Sequence, residues 1–203
     1  MKYSIFDFFN FSYIRLYLME KDLEQFNSDI IKVVVNGPES TGKTTLTKQL
    51  AEYFNTEYVA EFAREYLQSK WDKKREVCSK EDLLVIVKEQ VNLENKLLSK
   101  ANKILLLDTN IITTINWSIT HFDGYCDPWI IKQAEHLKYN HYLITNIDIP
   151  WVEDDLRDKP NERESMLSSL IHQHDIRGLS YSIIAGDKSK RLEKAIETIN
   201  NIL

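Results

Sequence analysis

Eight residues from Gly37 to Thr44, GPESTGKT, carry two glycines five positions apart, followed by a lysine and a threonine. They fit G-x-x-x-x-G-K-S/T at every fixed position. That spacing belongs to a phosphate cradle. Backbone N–H groups converge on an anion only where no Cβ blocks the approach, which asks for glycine at Gly37 and Gly42 around Pro38, Glu39, Ser40 and Thr41. Lys43 then reaches the β- and γ-phosphates and the Thr44 hydroxyl can ligate Mg²⁺. Thr45 continues a helix whose N-terminal dipole favours negative charge. The loop therefore implies a nucleoside triphosphate as ligand.

Other residue types in the chain could act on such a ligand. A transfer of phosphate to an alcohol needs a carboxylate that orients the hydroxyl and accepts its proton. Glu61 and Asp108 each follow an apolar run, and either could be that base. Arg64 stands one turn after Glu61, and Gln90 and Glu94 share a face of a long helical segment, so these can line an acceptor pocket. The stretch DIPWVEDDLRDKPNER offers Arg157 and Arg163 for a cationic lid, with Pro150 and Trp151 as rigid parts. Such a lid excludes water and balances charge on a transferring group. His121, His136, His141, His172 and His174 have no coherent ligand spacing and receive no role.

The elements that must position these residues can be read from periodicity. IIKVVVN is a continuous β-branched run, as suits a strand buried on both faces of a parallel sheet. TEYVA (Thr56–Ala60), KILLLD (Lys103–Asp108), HYLIT (His141–Thr145) and SYSIIAG (Ser180–Gly186) are four more candidates. Helical patterns lie between them at Thr44–Phe54, Glu61–Trp71, Lys80–Lys100, Trp129–Lys138, Glu162–His174 and Ser189–Ile202, with another beginning near Asn110. Ser79 and Asp82 are spaced as an approximate capping box for the Lys80 helix. Alternation of strand and helix predicts an α/β three-layer P-loop NTPase fold with a five-stranded, mainly parallel sheet. Ligands bind at the C-terminal edge of such sheets, where Glu61 and Asp108 would face the glycine loop.

Composition narrows the classes. A net charge of −5 argues against general binding to nucleic acid or anionic membranes. Cys78 and Cys126 lie far apart and match no metal spacing, which suggests ordinary thiols in a reducing, cytoplasmic compartment. No apolar run reaches the roughly 18–20 residues that span a bilayer. A GTPase would show N-K-x-D after a late strand, but ITNIDIP lacks the lysine. A remodelling ATPase would carry two adjacent acids after its third strand, where ILLLDTN offers only Asp108.

Four blocks, GPESTGKTTL, VAEFAREYL, LLLDTNIITTINWS and DIPWVEDDLRD, together resemble the nicotinamide riboside kinase family, which includes the C-terminal kinase domains of NadR-type regulators of NAD synthesis. The similarity runs from about Ile30 to Ile199. It implies phosphorylation of the 5′-hydroxyl of nicotinamide riboside by ATP with Mg²⁺, giving the mononucleotide. It also implies that Gly37 to Thr44 hold the ATP phosphates, that Glu61, Arg64 and Asp108 line the acceptor and metal site, and that Arg157 belongs to the lid. One departure stands out: relatives often have glycine where this chain has Asp155, which places an extra negative charge at the lid. Lacking an H-x-G-H-type motif, the chain is expected to stop at the mononucleotide. A kinase for another nucleoside and a nucleotide-binding regulatory ATPase are the alternatives. The expected organisation is an N-terminal extension over residues 1–29 and a kinase domain over 30–203. The aromatic-rich N-terminus is either a docked helix or strand, or sequence upstream of a start at Met19.

Overall fold

The computed structural model describes residues 23–203, so the expectations for the aromatic N-terminus lie outside the described residues. Five strands form one sheet: β1 (Ile31–Asn36), β2 (Tyr58–Val59), β3 (Ile104–Asp108), β4 (His141–Thr145) and β5 (Tyr181–Ile184). Their order is β2-β3-β1-β4-β5. All four pairings are parallel, where sequence predicted a mainly parallel sheet.

β1 explains the layering. Alternate residues of a strand point to opposite faces, and both faces of β1 are covered. Val33 and Val35 join Leu106, Leu143 and Ile184 in one core. That core is closed by α1 (Lys43–Tyr53) and by the last helix, α7 (Lys188–Asn200), through Leu46, Leu50, Ala195 and Ile199. Val34 joins Leu105, Leu107, Tyr142 and Ile144 in the second core. Over it lie α3 (Lys80–Leu98), α4 (Ile111–His121), α5 (Pro128–His136) and α6 (Arg163–Asp175). α2 (Phe62–Lys74) packs against α3 and has no fully buried residue.

Local signals set the ends of several helices. Ser79 accepts from the Asp82 amide and the Asp82 carboxylate accepts from the Ser79 amide, which completes the capping box of α3. α4 is capped by the Asn110 side chain, which accepts from the Ile112 amide. Asp108 is thereby left out of capping.

Strand β2 is shorter than the sequence suggests. It pairs only with β3, through Tyr58 and Val59. The Thr56 hydroxyl takes the Ile104 carbonyl at 2.6 Å, and the Ala60 carbonyl accepts from Gln90 at 3.3 Å. Side chains thus satisfy groups that a longer ladder would have used.

Before β1, the chain crosses helices α3 and α5 as an extended segment. The Leu23 amide donates to Gln133 at 2.7 Å and the Phe26 amide to Asn95 at 2.8 Å. β1 and β3 are neighbours whose following segments leave toward opposite faces, to α1 and to α4. Ligands bind at such a reversal in open α/β sheets. Asp108 is the register partner of Val35 there.

Candidate active site

The glycine loop closes directly on β4. A Cβ at Gly37 would stand 2.1 Å from Thr145 Oγ1 and 2.9 Å from the Thr145 carbonyl. Gly42, the residue before α1, sits at φ 80° and gives that helix no side-chain cap. Ser40 also has a positive φ, 53°. The Thr41 hydroxyl ties the loop down at 2.7 Å from the Pro38 carbonyl and 2.7 Å from Thr145 Oγ1. Lys43 reaches back across the loop and donates to the Pro38 carbonyl at 2.9 Å.

A cation from the last helix clamps this loop from behind. Arg191 is 5 % exposed. Its guanidinium donates to the carbonyls of Thr41 (2.6 Å), Asn146 (2.8 Å) and Gly186 (2.9 Å) and pairs with Asp148. Asp148 also accepts from the Gly186 amide at 2.5 Å. These contacts make ITNIDIP a structural turn.

Asp108 ends β3 beside the helix that follows the loop, and Thr44 Oγ1 donates to Asp108 Oδ2 at 2.5 Å. Asp108 Oδ1 is buried and has no hydrogen-bond partner among the described residues. The next residue, Thr109, holds φ 67°, a costly conformation for a β-branched side chain. Glu61 precedes α2 without capping it. Burial raises the pKa of both carboxylates; Lys43 opposes this at each, and the Asp108 charge raises Glu61 further. Two facing carboxylates beside a single lysine, with one buried oxygen unpartnered, suit a hard divalent cation with oxygen ligands. Asp108 and Thr44 are the residues that would hold Mg²⁺.

Gln90 is buried beneath Glu61. Its Oε1 accepts from the Phe62 amide at 2.9 Å and its Nε2 donates to the Ala60 carbonyl. Both ends of the amide therefore brace the backbone flanking Glu61. Glu94, one turn further along, lies away from the cavity and accepts from the Tyr139 hydroxyl at 2.9 Å.

The predicted lid packs onto α2. Asp154 takes both Arg64 Nη2 (2.7 Å) and Arg157 Nε (3.0 Å), while Arg157 Nη1 donates to the Val152 carbonyl at 2.5 Å. Asp155 accepts from Gln68 at 3.1 Å, a second tie between this segment and the helix. Arg163 donates to the carbonyls of Ser40, Ile147 and Ile149 and lies 5.8 Å over the Trp151 ring. Neither Arg163 nor Trp151 lines the cavity; both secure the base of the lid against the loop.

A cavity of about 660 Å³ runs from the glycine loop, through Gly37 to Thr45, past Glu61, Arg64 and Gln90 to Arg157. Asp108 opens onto the adjoining cleft shared with Thr44 and Glu61. Its far wall holds residues that received no role from sequence. Trp117 stacks on His121 at 4.0 Å, and His121 Nε2 lies 3.2 Å from Asp158 of the lid. Their four-residue spacing on one helix was a usable signal, since such pairs share a face.

Comparison with known proteins follows this geometry. The chain is 23% identical over 176 residues to the trifunctional NAD biosynthesis/regulator protein NadR of Escherichia coli K12, covering 84% of this chain and 42% of that protein. It thus spans less than half the length of the curated relative. Among solved structures it resembles NadR in complex with NR, with a TM-score of 0.69 and 24% identity over 85% of this chain and 49% of that one. It also resembles the thymidylate kinase of Ehrlichia chaffeensis, with a TM-score of 0.61 and 15% identity over 83% and 98% of the two chains. These likenesses establish the fold, a P-loop α/β sandwich shared with kinases. Residues 32–191, from the first strand to the arginine that clamps the glycine loop, match the family described as AAA domain, and the chain belongs to that family.

Proposed function

We propose that the protein transfers the γ-phosphoryl group of ATP to the 5′-hydroxyl of nicotinamide riboside. The observation that carries this reading is the meeting of Glu61 and Asp108 at the foot of the glycine loop, opening into a pocket large enough for a nucleoside. The similarity to a NadR crystallised with NR supports the choice of acceptor.

The residues divide the work as follows. Loop amides from Gly37 to Thr44 and the Lys43 ammonium bind and align the triphosphate. Thr44 and Asp108 would hold Mg²⁺, which supplies charge neutralisation on the phosphates. Glu61, braced by Gln90, faces the acceptor side and orients the hydroxyl; Glu61 or Asp108 takes its proton. Arg157, freed from Asp154, supplies positive charge above the transferring group. Positioning and electrostatics dominate because phosphoryl transfer leaves little covalent work to the protein. The two cysteines are free, and burial raises the pKa of both thiols, Cys78 to about 12 and Cys126 to about 11. No helix among the described residues is long and apolar enough to cross a membrane.

Mass spectrometry of reactions containing ATP, Mg²⁺ and nicotinamide riboside tests the reading. Nicotinamide mononucleotide should form, and Lys43→Ala should abolish it while leaving the fold intact. Phosphorylation of thymidine or cytidine but not nicotinamide riboside would reassign the acceptor. ADP release indifferent to any nucleoside would instead favour a regulatory ATPase.

A further inference from the structure

The cavity has an unusual charge balance for a site that must hold phosphate. Its lining includes five carboxylates, Glu39, Glu61, Glu76, Asp155 and Asp158, against three cations, Lys43, Arg64 and Arg157. Two of those cations already share Asp154.

Glu39 is the least satisfied of the acids. It belongs to the glycine loop, yet its side chain reaches the acceptor side. Oε2 is buried and has no hydrogen-bond partner among the described residues. One carboxylate oxygen each of Glu39 and Asp158 and one ring nitrogen of His121 lie within 4.8 Å of one another. The His121 ring is fixed from behind by the Trp117 stack and by the contact of Nδ1 with the Trp117 carbonyl at 2.9 Å. On its other side, His121 Nε2 lies 3.2 Å from Asp158 Oδ1, where a ring N–H donates to that carboxylate. Asp158 therefore has a donor from His121, while the Glu39 oxygen beside them has none. A buried, unpartnered carboxylate oxygen is costly unless a donor or a positive charge meets it.

Resting on the kinase reading above, we propose that Glu39, with Asp158, selects the acceptor by charge, favouring a nucleoside with a cationic ring over one whose ring is uncharged. A positively charged ring against Trp117 and His121 would satisfy the Glu39 oxygen. Glu39 is in this view a specificity residue, and its loop position lets one segment read both substrates.

The test compares nicotinamide riboside with its two-electron-reduced, uncharged form as acceptors for the wild type and for Glu39→Gln. It is run at pH 8.5, above the value of about 7 to which burial and then Asp158 push the Glu39 carboxyl. The wild type should favour the cation. Glu39→Gln should raise KM for the cation and leave KM for the neutral form little changed, so that the preference falls about tenfold, the size of one screened charge pair. Thermal stability and KM for the uncharged acceptor serve as internal references. Asp158→Asn should move the preference in the same direction by less, because its side chain is 64% exposed. An unchanged preference in Glu39→Gln would overturn the charge filter and leave the kinase reading intact. Absence of phosphorylation with every nucleoside would overturn the kinase reading, and the filter with it. Stoichiometric Zn²⁺ or Mn²⁺ binding without nucleotide, lost in Glu39→Gln, would assign the three groups to a metal and also overturn the filter.

Discussion

Replacing Arg191 by methionine is the most informative single perturbation, because the residue touches no substrate and yet holds the loop that does. The substitution keeps much of the aliphatic bulk and removes four polar contacts, to the carbonyls of Thr41, Asn146 and Gly186 and to Asp148. The Asp148 side chain is 31 % exposed, so water can replace most of what that ion pair contributed. The Thr41 carbonyl bond is buried and cannot be replaced so readily. Hydrogen bonds to a charged group are worth roughly 1.5–3 kcal/mol each and are not additive. A total loss of about 3–5 kcal/mol follows, in line with breaking other buried charged contacts. For a chain of this size, that lowers Tm by roughly 6–20 °C. The measurement pairs thermal and urea unfolding with ATP affinity, which should weaken by more than about tenfold as Thr41 and its neighbours lose their anchor. A double-mutant cycle with Asp148→Asn should give a coupling under about 1 kcal/mol. A Tm within about 2 °C of wild type, with ATP affinity unchanged, would refute the clamp.

Three other outcomes are expected. Asp108→Asn should cut turnover by about a hundredfold or more while changing ATP affinity in the absence of Mg²⁺ far less, as steady-state kinetics and nucleotide titration would show. Gln90→Ala should lower kcat with little change in KM for ATP, because it releases the backbone on both sides of Glu61 without touching the phosphate loop. Glu94 gives a pH effect of defined sign. Burial pushes its carboxyl up to about 7, against hydrogen bonds from Tyr139, so the folded state holds the proton more tightly than the unfolded chain. Stability should therefore fall as pH rises from about 4.5 through 7, by roughly 3 kcal/mol in all, and Glu94→Gln should flatten that decline in urea titrations at several pH values.

The sequence showed much of this molecule. The β-branched run before the glycine loop, the Ser79–Asp82 capping pair and the apolar KILLLD segment each carry their conformation in residue type, so the elements were placed to within a few residues. The glycine loop was legible because phosphate binding demands a fixed spacing there. What it did not show is which main-chain groups the side chains meet. Arg191, Gln90 and Arg163 act on carbonyls and amides contributed by distant segments, and a backbone carbonyl has no signature in an amino-acid sequence. Arg163, expected to lend charge to a lid, instead meets the carbonyls of Ser40, Ile147 and Ile149 beside the Trp151 ring. Glu94 looked like a companion of Gln90 because both share a helical face, but that face is long enough for its two ends to meet different surroundings.

The contact between Gly37 and Thr145 means that the residue opening the phosphate loop is dictated by a strand more than a hundred positions later. Thr145 gives its hydroxyl to the Asn36 carbonyl at 3.2 Å and meets Thr41 on the same side, filling the space a side chain at position 37 would need. Transplanting the eight-residue segment onto another parallel sheet would accordingly fail unless the neighbouring strand came with it. The transferable unit is the pair of adjoining strand ends.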